Sequence, residues 1–163
     1  MKRLGPTRSP GSIMSYKNEN AVVAAIGKAV KKNYPTAYIL KIHGGQYQES
    51  GIPDLLVCID GLEIGMEVKH QKPGESREHA LDRTTLKQRS HIQRILNAGG
   101  MAGVVMDVEP ALYLIQLAKL KQRMIQEGRP IEDYPLPPDY DFLFRVDDSK
   151  IIEIQERQVI PHP

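Results

Sequence analysis

The stretch from Leu55 to Lys69 constrains this chain more than any other. Leu55 to Ile59 is continuously apolar and predicts a central strand buried on both faces. Asp60-Gly61 follows, a pair suited to a two-residue hairpin turn because both positions tolerate positive φ. Leu62 to Lys69 then alternates, with Leu62, Ile64, Met66 and Val68 on one face and Glu63, Gly65, Glu67 and Lys69 on the other. With two residues in the turn, Ile59 opposes Leu62, and the ladder carries back to Asp54 opposite Glu67. Directly opposed residues share a sheet face, with Cβ atoms about 5 Å apart. Lys69, two residues beyond Glu67, lies on that face as well. Two carboxylates and an amine therefore converge at one end of a buried hairpin.

Opposed like charges destabilise a sheet. A buried carboxylate pair must protonate, find cations or bind metal. A hard divalent ion such as Mg²⁺ suits two carboxylates completed by water and phosphate oxygens. The plain alternative is that Asp54 caps a strand and Glu67–Lys69 is an exposed ion pair; the pairing arithmetic favours the metal site. Glu19 precedes Val22, Val23 and Ile26 by three, four and seven residues, which sets it on a core-facing helical stripe. There it is either a third carboxylate aimed at the metal or a first-turn acid favoured by the helix dipole. Gln88 follows Thr85 by three, a capping-box spacing, with orientation of a water or phosphate as the other role. Lys41 and His43 share one face of a preceding strand, where Lys41 either contacts phosphate or is solvated. His43, His70, His79 and His91 lack metal-ligand spacing. Arg83, Lys87, Arg89 and Arg94 make one helix basic, as a solvated face or a track for a nucleic-acid backbone.

The remaining elements follow from periodicity and punctuation. A helix runs from Ser15 or Asn18 to Asn33, a strand spans Ala37 to His43, and a polar loop runs from His70 to Arg83. A helix carrying Leu86, Ile92, Ile95 and Leu96 stops at Gly99-Gly100; a buried strand covers Ala102 to Val108; a long helix ends before Gly128. The order αβββαβα predicts an α/β (α+β) domain, a mixed sheet flanked by helices. With 163 residues, 40% of them hydrophobic, there is room for one domain. Its boundaries are a basic arm at 1–14, a core at 15–128, and a proline-rich linker with a β-hairpin, Phe142 to Val146 and Ile151 to about Ile160, at 129–163. That hairpin either pairs with a second subunit or shields a sheet edge. No apolar run is long enough for a membrane span, and the basic arm lacks the apolar core of a secretory signal. The single cysteine, Cys58, lies in the apolar run and is expected to be a buried core thiol in a reducing cytoplasm. Net charge is +2, but residues 1–107 hold 15 basic and 10 acidic side chains, a balance that suits a polyanion without requiring one.

Gly51-Ile52-Pro53-Asp54, Glu67-Val68-Lys69 and Thr85-x-x-Gln88, with Glu19 on a preceding helix, resemble the PD-(D/E)xK nuclease superfamily. Within it the chain looks most like the virus-type replication–repair nuclease (VRR-NUC) group, over roughly Asn18 to Asp107. The resemblance implies a restriction-endonuclease-like core of order αβββαβ and DNA hydrolysis with Mg²⁺ or Mn²⁺. It implies Asp54, Glu67, the Val68 carbonyl and Glu19 as metal ligands, Lys69 positioning the attacking water, and Gln88 supporting it. Lys41, His43, Arg83 and Lys87 are candidate DNA contacts. Small members of this group resemble phage-type Holliday-junction resolvases, which implies branched DNA, a homodimer and a site of action in the host cytoplasm. The alternatives are a nuclease of the same fold acting on flaps, nicks or plain duplex, and a non-catalytic DNA-binding or assembly protein. The loop from His70 to Arg83 and the segment from Arg129 onward depart from the group's pattern.

Overall fold

The computed structural model describes residues 15–46 and 48–129. The first helix, α1 (Glu19–Asn33), starts where the Asn18 side chain accepts a hydrogen bond from the Ala21 N–H at 2.9 Å. It buries Val22, Val23, Ile26 and Val30, the predicted stripe. Strands β1 (Tyr38–Lys41), β2 (Leu55–Ile59) and β3 (Leu62–Val68) follow, then helices α2 (Arg77–Asp82) and α3 (Leu86–Asn97), strand β4 (Met101–Val105) and helix α4 (Val108–Gln126). The sheet order is β1-β2-β3-β4, antiparallel except for the parallel pair β3–β4. The result is a mixed sheet flanked by helices, as the αβββαβ pattern required.

The hairpin has the expected register: Ile59 pairs with Leu62 and Leu55 with Met66. Its turn is left-handed at both residues, with φ of 49° at Asp60 and 77° at Gly61, the conformation that matches strand twist. One face presents Leu55, Val57, Ile64, Met66 and Val68, all buried, on the side of α1 and α4. On the other face α3 lies over β3 and β4, made possible by Gly65. A Cβ there would meet Ile95 Cδ1 at 2.8 Å and Pro53 Cγ at 3.2 Å.

Four expectations are corrected. β2 is buried on one face only, because no described helix covers Leu56 and Cys58 on the other; Cys58 is exposed rather than a core thiol. The stretch from His70 to Arg83 is not all loop. Ser76 caps α2 by accepting the His79 N–H at 3.1 Å, and Ala80 and Leu81 anchor it in the core. Two apolar residues are too few to show a helical period, so the sequence concealed it. Leu86 lies off the buried face of α3, 79% exposed, and Ile92 and Leu96 carry that contact. The order is therefore αβββααβα. The predicted arm at 1–14 and the linker and hairpin beyond Arg129 lie outside the described residues. No described helix is long and apolar enough to cross a membrane.

Gly51 fixes the loop before β2 against α3. Its φ is +92°, and a Cβ would stand 2.7 Å from the Lys87 carbonyl carbon and 2.9 Å from the Gln88 nitrogen. Neither backbone atom can yield without moving the helix start. Gly51→Ala is expected to destabilise the fold by about 1–3 kcal/mol. Urea denaturation checks this; an unchanged midpoint would show that the loop does not depend on this close approach.

Candidate metal centre

Asp54 sits one residue before β2, at the end of the hairpin remote from its turn. Its Oδ2 accepts the Val68 N–H at 2.7 Å, which ties it to the far end of β3. Its carbonyl accepts the Ile42 N–H at 2.8 Å, which ties the same point to the chain leaving β1. Glu67 is 1% exposed. Its Oε1 accepts from Lys69 Nζ at 3.2 Å and from Gln88 Nε2 at 2.5 Å. Glu67 Oε2 is buried and has no hydrogen-bond partner among the described residues. Glu19, the first residue of α1, is exposed rather than turned into the core, because the stripe emerges from the core at the helix start. It still reaches the site: one carboxylate oxygen each from Glu19, Asp54 and Glu67 lie within 4.8 Å of one another.

Electrostatics make this arrangement costly without a cation. Burial, then the Asp54 carboxylate, push Glu67 from 4.5 up to about 8, against the pull of Lys69. Burial also raises Asp54, opposed by the Val68 N–H and by the charges of Lys69 and Lys41. A hard divalent cation fits: three oxygen donors converge, and one of them has a buried oxygen with no hydrogen-bond partner.

Lys69 is 7% exposed, so the pair with Glu67 is a buried one and not a surface bridge. Its Nζ also donates to Gln88 Oε1 at 3.2 Å. Gln88 fills the capping role and also bonds the two charged residues of the site. Its Oε1 accepts the Thr85 N–H at 2.8 Å in a complete capping box, while its amide bridges Glu67 and Lys69. The start of α3 is thereby locked to the carboxylates. Val68 is buried beside them, and the Lys69 N–H donates to the Val105 carbonyl at 3.0 Å, so β4 steadies this corner.

The remaining expected residues divide. Lys41 and His43 are exposed at the end of β1, and the Lys41 charge acts on Asp54. Lys87 is exposed on the first turn of α3. Arg83 is occupied: it pairs with Glu75 at 3.3 Å and donates to the His70 carbonyl, pinning α2 to the end of β3. A cleft of about 810 Å³ opens beside Glu19 and Asp54, lined also by Lys17, Asn20, His70 and Lys72. Sequence reading missed Lys17, Lys72 and the brace beneath them. There a His70 ring nitrogen lies 2.7 Å from the Tyr16 carbonyl, and the Tyr16 hydroxyl donates to Asp107 at 2.8 Å. Those partners are far apart in the chain and carry no motif.

No family model and no curated protein matches this chain. Among solved structures, it is similar to a chain described as a VRR_NUC domain, at 24% identity and a TM-score of 0.39. The match covers 57% of this chain and 92% of that one.

Because Glu67 titrates higher in the folded chain than in the unfolded one, the native state holds the extra proton between pH 4.5 and about 8. Without metal, stability must therefore fall as pH rises through that window, at no more than about 1.4 kcal/mol per pH unit from this group. Glu67→Gln is expected to flatten that fall in EDTA, and Mg²⁺ to raise the parent's midpoint most at the alkaline end. Thermal denaturation between pH 5 and 8.5 checks both. An identical slope for parent and variant would contradict the assignment.

Proposed function

We propose that this chain is a divalent-metal-dependent deoxyribonuclease that hydrolyses phosphodiester bonds in branched DNA, four-way junctions above all, as a homodimer. The observation that carries it is the convergence, beside a buried lysine, of three carboxylates, two of which, Glu19 and Asp54, line a cleft together with Lys17 and Lys72. The motif resemblance supports the same chemistry. Glu19, Asp54 and Glu67 would hold Mg²⁺ or Mn²⁺, with the Val68 carbonyl as a further oxygen. The ion would lower the pKa of a bound water and neutralise charge gathering on the phosphate.

The chain's own residues do the rest. Lys69 presents an ammonium held by Glu67 Oε1 and Gln88 Oε1, which leaves a third N–H for the attacking water or a non-bridging phosphate oxygen. Gln88 fixes the direction of both groups, so little reorganisation is needed when charge develops. The water oxygen attacks phosphorus and gives up a proton to solvent, the P–O bond to the leaving sugar oxygen breaks, and that oxygen takes up a proton from solvent. Lys17 and Lys72 on the cleft rim, with Lys41, His43 and Lys87 flanking it, offer phosphate contacts that set affinity rather than rate. Arg83 contributes through the position of α2 rather than through DNA. A junction presents two symmetry-related scissile strands, and a two-fold dimer presents two such sites.

Lys69→Ala should lower cleavage at least about 100-fold, with DNA affinity changed less than about threefold. The substrates are a four-way junction, a flap, a nicked duplex and a plain duplex, each in Mg²⁺, Mn²⁺ or EDTA. Paired cuts confined to the junction and lost in the variant establish the proposal. Metal-dependent cuts elsewhere keep the nuclease and remove the junction preference. Tight junction binding without any cut, in every metal, makes the chain a binding protein. Light scattering decides the dimer: a monomer at assay concentration contradicts paired cleavage.

A further inference from the structure

The sheet face under α3 is covered over only half its width. Tyr38 opposes Cys58 and Leu40 opposes Leu56, so these four side chains share a face. The next rungs, Cys58 with Glu63 and Leu56 with Gly65, show that this is the face on which Ile95 of α3 meets Gly65. α3 covers β3 and β4 and leaves β1 and β2 open. Tyr38 is 65% and Leu40 42% exposed, and Cys58 beside them is exposed too. Apolar surface of this kind, contiguous on a flat strand pair at a sheet edge, marks a place where something docks.

We propose that its occupant is the chain's own C-terminal segment, residues 142–160, laid across β1 and β2. The described chain ends in the right place. Lys119 Nζ pairs with Asp60 Oδ2 at 3.3 Å, and Gln122 Nε2 donates to the Asp60 carbonyl at 3.3 Å. The last turns of α4 therefore run out beside the hairpin turn, next to the Tyr38–Cys58 rung. The chain beyond is long enough: α4 packs on the opposite face of the sheet, and residues 130–141 alone span up to about 40 Å when extended, enough to pass the hairpin turn and reach the open face. Its composition fits. Phe142 and Phe144 are the only phenylalanines in the sequence, and Val146, Ile151, Ile152 and Ile154 follow them. A tethered segment also meets the face at an effective concentration near millimolar, which a second copy does not reach at ordinary protein concentrations. The proposal does not depend on the nuclease reading.

Cys58 is the sole thiol and sits in the middle of the face, so its alkylation by iodoacetamide reads the cover directly. The full-length chain is compared with full-length Phe142→Asp/Phe144→Asp and, separately, Ile152→Asp, each set against its own urea-unfolded rate. Circular dichroism and a cooperative urea transition confirm that each variant is folded. The expected result is a parent rate at least about tenfold below the unfolded rate, equal at 2 and 60 μM protein, with either variant restoring fast reaction. A parent that reacts at the unfolded rate overturns the proposal, as does protection that survives both variants. Protection that grows with protein concentration assigns the face to a second copy. Protection that appears only with added DNA assigns it to substrate.

Discussion

The close approach of Asp54 and Glu67 at one end of a buried hairpin is the constraint on which the rest of the structure turns. Two carboxylates in that position repel each other and lose hydration, and Glu67 responds with a pKa of about 8. Every neighbouring element supplies something to hold them. β3 gives the Val68 N–H to Asp54, Lys69 places its ammonium on Glu67, and α3 brings the Gln88 amide to the same oxygen. α1 opens with Glu19 beside them, which adds a further negative charge next to Glu67. A divalent cation held between the three carboxylates would offset both costs.

Small residues let the elements approach closely enough for this to work. Gly65 admits Ile95 and Pro53 onto the sheet, and Gly51 lets the loop before Asp54 touch the backbone of α3 at Lys87 and Gln88. These contacts set the distance between Gln88 and Glu67. The cap that starts α3 and the bridge that orients Lys69 are then one structure, because the Gln88 carbonyl oxygen accepts from both Thr85 N–H and Lys69 Nζ. Helix stability and site geometry are coupled at that atom.

Local signals in the sequence carried the hairpin, its register and the placement of Asp54, Glu67 and Lys69 on one face. A turn type and a period of two determine all of that over fifteen residues. The helix boundaries were legible for the same reason, through Asn18, Thr85 and the glycines that follow α3 and α4. What was hidden depended on distant partners. Cys58 reads as a core residue by its apolar neighbours, yet its exposure is decided by where α3 stops. Six residues of α2 show no period, and only the contacts of Ala80 and Leu81 with the core define it. Arg83 reads in the sequence as part of a basic helix face, and its partners, Glu75 and the His70 carbonyl, are set by the fold of the loop. The cleft rim at Lys17 and Lys72 comes from two segments more than fifty residues apart.

The most direct test of the account is to locate the ion. Crystals soaked in Mn²⁺ and measured for anomalous scattering should show a peak about 2.1–2.3 Å from carboxylate oxygens of Asp54 and Glu67, with Glu19 bound directly or through water. The same soak of Asp54→Asn should lose it. A saturating soak that leaves the three carboxylates without a peak, or places the ion elsewhere, would contradict the central claim.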